Sequence, residues 1–128
     1  MPHITGAFAS FTVRDLEEAR GFYADVIGLQ VSTALPEAGP LWLEAGSQGR
    51  AMVYAKPDHQ PAAFTVLNLM VDDIVATVDE LASRGISFER YPEYRQDRRA
   101  IFHGPGHDIV WFRDPAGNHL SLVQLHTG

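Results

Sequence analysis

The chain states its pattern twice, and that repetition limits its folds more than any other feature. Val13-Arg-Asp-Leu16 returns as Val71-Asp-Asp-Ile74, the aspartates at 15 and 73 lying 58 positions apart. The glycines that end the two following apolar stripes, Gly28 and Gly85, lie 57 positions apart. Each pair brackets the same order of strand, helix and strand. An offset kept over three successive elements marks an internal duplication. It predicts an α+β protein of two βαβββ modules, residues 1–60 and 61–128. At 128 residues the two modules amount to one domain.

Taken in order, Phe8 to Val13 is rich in aromatic and β-branched residues and predicts a first strand. Asp15 is placed to cap a helix, with Glu17 and Glu18 in the first turn, where the helix dipole favours anions. Leu16, Ala19, Phe22, Tyr23 and Val26 follow at helical spacing and predict one packed face. Gly28 predicts a left-handed cap, and Leu29 to Val31 begins a second strand. Pro36 and Gly39-Pro40 mark a loop. Leu41 to Ala45 and Ala51 to Ala55 predict a hairpin turning at Gly46 to Gly49. Pro57 to Pro61, polar and bounded by prolines, reads as the linker. The second copy predicts a strand over Phe64 to Val71, a helix from Asp73 to Gly85 and a strand at Ile86 to Phe88. Tyr91 to His107 reads as an irregular insertion.

The chain closes on its strongest hairpin signal, Ile109 to Leu125 around Asp114-Pro-Ala-Gly-Asn118. Proline presets φ at the second turn position, and glycine or asparagine accepts positive φ after it. In the returning strand Leu120, Leu122 and Gln124 share one face and His119, Ser121 and Val123 the other. The first face is expected on core, the second on a cavity. Asp114, Asp15 and Asp73 are read as turn and helix stabilisers.

Composition removes whole classes of function. The chain has no cysteine, which rules out disulfides, thiolate zinc sites and cysteine nucleophiles and suits a reducing cytoplasm. A net charge of -6 argues against nucleic acid, which calls for a basic face. Arg95, Arg98 and Arg99 are the one basic cluster, diluted by Glu93 and Asp97. No apolar run approaches a membrane span, and Met1-Pro2-His3 does not begin like a secretion signal.

These motifs, Val13-Arg-Asp-Leu16 with Phe22-Tyr23 and Gly28-Leu29, Val71-Asp-Asp, and Phe112-Arg-Asp-Pro-Ala-Gly-Asn118, resemble the vicinal oxygen chelate superfamily. That group holds glyoxalase I, the bleomycin-resistance proteins and the extradiol dioxygenases. The resemblance covers nearly the whole chain. It implies two βαβββ modules, each a half-open barrel around a cavity, in a homodimer. It also implies, for the enzymes, a divalent metal held by four side chains. Registration puts Phe8, Tyr54, Val66 and Ser121 at those positions, none a usual ligand for such an ion. The expectation is therefore no metal and no cofactor. His103, His107, His119 and Glu44 are the residues from which a relocated site would have to be built, although histidines beside a Gly-Pro-Gly turn are usually solvated.

With the metal positions so filled, the expected cavity combines Phe8, Ser10, Trp42, Tyr54, Val66, Asn68, Met70, Trp111 and Ser121 with His119. Aromatic and apolar walls with a few polar handles suit a mid-sized organic ligand. Two readings follow. One is a binding protein that sequesters an aromatic or natural-product-like compound, in the manner of the bleomycin-resistance-like members. The other is a metal-free isomerase, lyase or cyclase with His119 as general base. A glyoxalase-type metalloenzyme comes third. A plainer alternative is that Phe8, Val66 and Met70 fill a collapsed core.

Overall fold

Asp15 and Asp73 each open a helix by accepting backbone amides. Asp15 Oδ1 takes Glu17 N at 2.9 Å and Glu18 N at 3.2 Å, and Asp73 Oδ1 takes Ala76 N at 3.0 Å. The computed structural model that shows this describes residues 2–33, 39–47 and 49–126. Pro36 of the predicted loop and Gln48 of the predicted hairpin turn lie outside the described residues.

The chain forms two compact units, residues 1–59 and 60–128. The first holds β1 (Ala9–Val13), α1 (Leu16–Gly21), β2 (Gln30–Thr33), β3 (Leu41–Ala45) and β4 (Gly49–Ala55). Its sheet runs β1-β4-β3-β2, with β1 parallel to β4 and the other pairs antiparallel. The second holds β5 (Thr65–Met70), α2 (Ile74–Ser83), β6 (Phe102–Gly104), β7 (His107–Arg113) and β8 (His119–Leu125). Its sheet runs β5-β8-β7-β6, again with only the first pair parallel. These two open four-stranded sheets, each with a helix, are the α+β, half-open-barrel architecture expected.

In each unit the helix connection covers one sheet face. Phe11, Val13, Leu41, Leu43, Ala51 and Val53 are buried with Ala19, Phe22 and Tyr23 of the first helical segment. In the second, Leu69, Val110, Phe112, Leu120 and Leu122 are buried with Ile74, Val78 and Leu81 of α2. Gln124 faces this core, as its parity predicts, and its side-chain carbonyl accepts Ile74 N at 2.9 Å, adding a second cap to α2.

The structure departs from the sequence reading in three places. The first helix is α-helical only to Gly21 and continues as a π-helical turn, Phe22–Ile27, before Gly28 closes it at φ 87°. That wider turn still buries Phe22 and Tyr23. Ile86 to Phe88 forms no strand: Ile86 N turns back to Leu81 O at 3.1 Å, and the next residue, Glu89, reaches β7 through Trp111 O at 2.8 Å. The fourth strand of that sheet comes instead from inside the supposed insertion, where Phe102, His103 and Gly104 pair with Ile109, Asp108 and His107. The linker-like stretch is also anchored. His59 is buried, with Nδ1 2.6 Å from Thr12 Oγ1.

The β7–β8 turn is built as its residues dictate. Asp114 Oδ1 accepts Ala116 N at 3.0 Å and Asn118 N at 2.8 Å, while Oδ2 takes Asn118 Nδ2 at 2.9 Å. Gly117 adopts φ 87°, and a Cβ there would meet Pro61 Cγ at 3.3 Å. Asp114 and Asn118 are buried, so removing the carboxylate strands donors away from water. Asp114→Ala is expected to destabilise the fold by about 3 kcal/mol, measured as a lower urea midpoint with an unchanged slope. A loss under about 0.5 kcal/mol would show that the turn does not depend on this side chain.

Candidate functional site

Each sheet has one face that its helix leaves open. In the first unit strand pairing sets Ser10 beside Met52, Met52 beside Trp42, and Thr12 beside Tyr54. The Arg50 guanidinium lies 3.7 Å from the Trp42 ring centroid and 3.7 Å from Glu44 Oε1. Phe8 sits one residue before β1, exposed, with its ring edge-on to Trp42 at 4.8 Å between centroids. A cavity of about 580 Å³ opens between Phe8, Arg50 and residues 5–7.

The register separates two residues that the resemblance assigns to the superfamily's metal positions. Ala9 pairs with Ala51, so Phe8 adjoins Arg50, whereas Tyr54 pairs with Thr12. Phe8 and Tyr54 are thus four rungs, or about 13 Å, apart along the strands.

In the second unit Ser121 lies beside Asn68 on one side and Trp111 on the other. Ser121 is fully buried rather than lining open space, and its hydroxyl donates to Asn68 Oδ1 at 2.5 Å. Val66 sits where the register slips between Thr65 and Leu67, so it faces no partner on β8. Val66 is half-buried, and Met70 is 71 % exposed. With Phe8 55 % exposed, the three do not form a filled core within their units.

A concavity in this unit has about 310 Å³ and is lined by Ala63, Phe64, Thr65, Tyr91, Glu93, Tyr94, Trp111 and His119. Its wall is aromatic. Tyr94 stacks on Trp111 at 5.2 Å and 21°, and Tyr91 stands edge-on to Trp111 at 5.3 Å and 79°. Phe64 is 69 % exposed at the mouth. Burial, and then the nearby Glu89 carboxylate, push the Tyr91 phenol above its ordinary range, so it stays a neutral donor. Of the predicted residues, Trp111 and His119 meet here. Tyr91, Glu93 and Tyr94 were missed because the 91–107 segment looked irregular, and Phe64 because it was read only as the first residue of a strand that in fact begins at Thr65. Two tyrosines and a glutamate close together in an otherwise polar loop were the available signal.

His103 and His107, expected as solvated neighbours of a turn, differ from each other. His107 Nδ1 is 3.1 Å from its own turn's Pro105 carbonyl. His103 joins two carboxylates, Nδ1 to Asp108 Oδ1 and Nε2 to Asp97 Oδ2, both at 2.9 Å. Those bonds hold its imidazole above the ordinary histidine pKa, against a smaller effect of burial. Both its nitrogens are therefore engaged, and Glu44 is paired with Arg50. Among the described residues no three His, Cys, Asp or Glu side chains gather to hold a metal ion. The four positions registered with the superfamily's ligands carry the phenyl, phenol, isopropyl and hydroxymethyl side chains of Phe8, Tyr54, Val66 and Ser121, a set that does not fit its divalent ion.

The sequence model of the Glyoxalase/Bleomycin resistance protein/Dioxygenase superfamily matches residues 1–122. The chain belongs to this superfamily. Its fold is shared with TnmS3, an antibiotic binding protein from Streptomyces sp. CB03234, at 24% identity and TM-score 0.70 over 97% of this chain and 100% of that one. A glyoxalase/bleomycin resistance protein from the same organism matches at 26% identity and TM-score 0.62, over 91% and 98%. A superfamily member from Sphaerobacter thermophilus DSM 20745 matches at 23% and 0.66, over 94% and 98%. No curated protein matches the chain significantly. No helix among the described residues is long and apolar enough to cross a membrane.

The Asn68–Ser121 pair makes an asymmetric prediction. Ser121 is buried and Asn68 exposed. Asn68→Ala therefore leaves a buried hydroxyl unpaired, costing about 1–3 kcal/mol, while Ser121→Ala frees an amide that water can satisfy. Thermal melts of both variants are expected to rank Asn68→Ala as the less stable. The reverse order would remove this pair as a structural support.

Proposed function

We propose that the protein is a small-molecule-binding member of its superfamily that sequesters a flat aromatic, natural-product-like compound without a metal ion. The observation that carries this reading is the open aromatic wall of Tyr91, Tyr94 and Trp111, with Phe64 exposed beside it. Stacked and edge-on rings give large, rigid apolar area at little entropic cost. Glu93 and the negative net charge favour a cationic compound. The antibiotic-binding relative supports the same class by analogy of fold. The ring faces of the first unit, Trp42, Phe8 and Tyr54 with the Ser10 hydroxyl, offer a second surface of the same chemistry. Asn68 and Met70 are polar and apolar handles on the second sheet. A role in antibiotic resistance, residence in the cytoplasm and assembly as a homodimer belong to this proposal.

The competing reading is a metal-free isomerase, lyase or cyclase, favoured by one observation: the His119 imidazole lines the same pocket. A general base needs only reach and a pKa near neutrality. The two readings differ in which variant fails. Titration with 9-aminoacridine, a planar aromatic cation, reports binding through tryptophan quenching. For a binder, Tyr94→Ala weakens the dye by roughly tenfold, one stacking contact of about 1.4 kcal/mol, and His119→Ala by less. For an enzyme, conversion of a screened aromatic substrate drops about a hundredfold in His119→Ala while its binding barely moves. That second pattern would replace the sequestration reading.

Assembly and metal content are checked on one sample. A two-chain mass by light scattering at micromolar concentration, with no stoichiometric divalent ion by elemental analysis, is the expected result. A monomer would remove the homodimer. About one zinc, nickel, iron or manganese per chain would remove the metal-free reading, whatever residues bound it.

A further inference from the structure

The loop of residues 91–101 supplies Tyr91, Glu93 and Tyr94 to the aromatic pocket, and its far end is fastened to the sheet through a histidine. Asp97 Oδ1 accepts Arg99 N at 2.8 Å and Ile101 N at 2.9 Å. These two amides flank Ala100, which is buried at φ 68°, a left-handed conformation unfavourable for a residue with a side chain. The strained turn is thus gripped on both sides by one carboxylate. The other oxygen of that carboxylate meets His103 Nε2 at 2.9 Å, and His103 Nδ1 meets the buried Asp108 of β7 at 2.9 Å.

Two carboxylates can both be satisfied by this ring only when each nitrogen carries a proton. We propose that His103, as the imidazolium bridging Asp97 to Asp108, is a proton-operated latch that holds the 91–101 loop and with it the aromatic wall of the pocket. The part concerning ligand affinity rests on the binding reading above; the latch itself does not. When His103 is neutral, its one proton stays with the more buried Asp108, and a nitrogen lone pair then faces the Asp97 oxygen. Repulsion replaces attraction at that contact, and the grip on the Ala100 turn weakens.

Asp97 lies on the loop, Asp108 on β7, and His126, just past β8, reaches Asp108 Oδ2 with Nε2 at 3.1 Å. Across the hairpin His107 turns to Pro105 O. Arg99 is held separately by a two-point ion pair to Asp79 on α2, at 2.8 and 3.1 Å, so deprotonation loosens the loop without detaching it. Burial opposes the charged form of both carboxyls, and only the combined effect of their partners outweighs it and holds both below their ordinary range: the His103 bond with the Ile101 and Arg99 amides at Asp97, and the His126 and His103 bonds and charges at Asp108. His103 is held above its ordinary value. The sign follows from these directions. The latch is closed above the carboxylates' lowered pKa values, and its hold is lost as pH rises through the raised pKa of His103.

Two readouts on the intact chain test this without a ligand, from about pH 5 to about pH 9, the interval that spans histidine titration. Amide exchange at Arg99 and Ile101, corrected for intrinsic base catalysis, is expected to lose protection about tenfold across one titration, the equivalent of one charge-assisted hydrogen bond. Acrylamide quenching of Trp111, in a Trp42→Phe background, is expected to rise over the same interval. His103→Gln removes both steps, whereas His126→Gln, which touches Asp108 but not the loop, keeps them. Loss of the steps in both variants would mark general destabilisation and overturn the latch. So would a pH-independent wild type, or an exchange step with no change at Trp111. Binding of 9-aminoacridine over the same series separates the two ideas. No binding at any pH with both steps intact sinks the binding reading and keeps the latch, and affinity that ignores an intact step overturns its control of the pocket.

Discussion

The parallel pairing of the first and last strands in each unit is the constraint on which the rest depends. β1 lies against β4 and β5 against β8, although each pair is separated by a helix and two further strands. A helix following the first strand must cross one face of the sheet, so that face becomes core and the opposite one is left bare. The capping aspartates fix where this crossing begins. The ring surfaces, the buried Ser121 hydroxyl and His119 sit on or beside what the crossing does not cover.

Binding groups on a bare sheet face are spaced by the ladder, not by sequence. Ser121 shows the effect: it shares parity with His119, yet lies fully buried while His119 lines a pocket. Position along the strand decides this, since Ser121 sits between Asn68 and Trp111 and His119 near the turn, beside Thr65 and Arg113. The same logic explains the spread of Phe8 and Tyr54. Residues that look equivalent by counting backwards from a motif are equivalent only if the rungs agree.

The repeat, both helix caps, the left-handed Gly28, the closing turn and the core face of β8 were all legible, because each rests on interactions within a few residues. The superfamily followed from the same local motifs. What escaped was non-local. Whether Ile86 to Phe88 or Phe102 to Gly104 would pair with β7 depends on competition between two segments that both carry aromatic and apolar residues, and local propensity does not rank them. The aromatic pocket escaped for the same reason: Tyr94 reaches Trp111 across 17 positions of chain. His103 was read from its glycine-rich neighbourhood, which announces a turn, while its partners Asp97 and Asp108 lie on either side of that turn.

The slip at Val66 has a consequence for how related chains are to be aligned. Thr65 faces His119 and Leu67 faces Leu120, so Val66 has no place on the ladder. A relative one residue shorter at this point would keep Asn68 beside Ser121, Leu69 beside Leu122 and Thr65 beside His119. Its strand would be regular, and neither face would exchange its side chains. An alignment that instead places its gap further along the strand would swap the leucines with Asn68 and Met70, and would read a bare surface as a core.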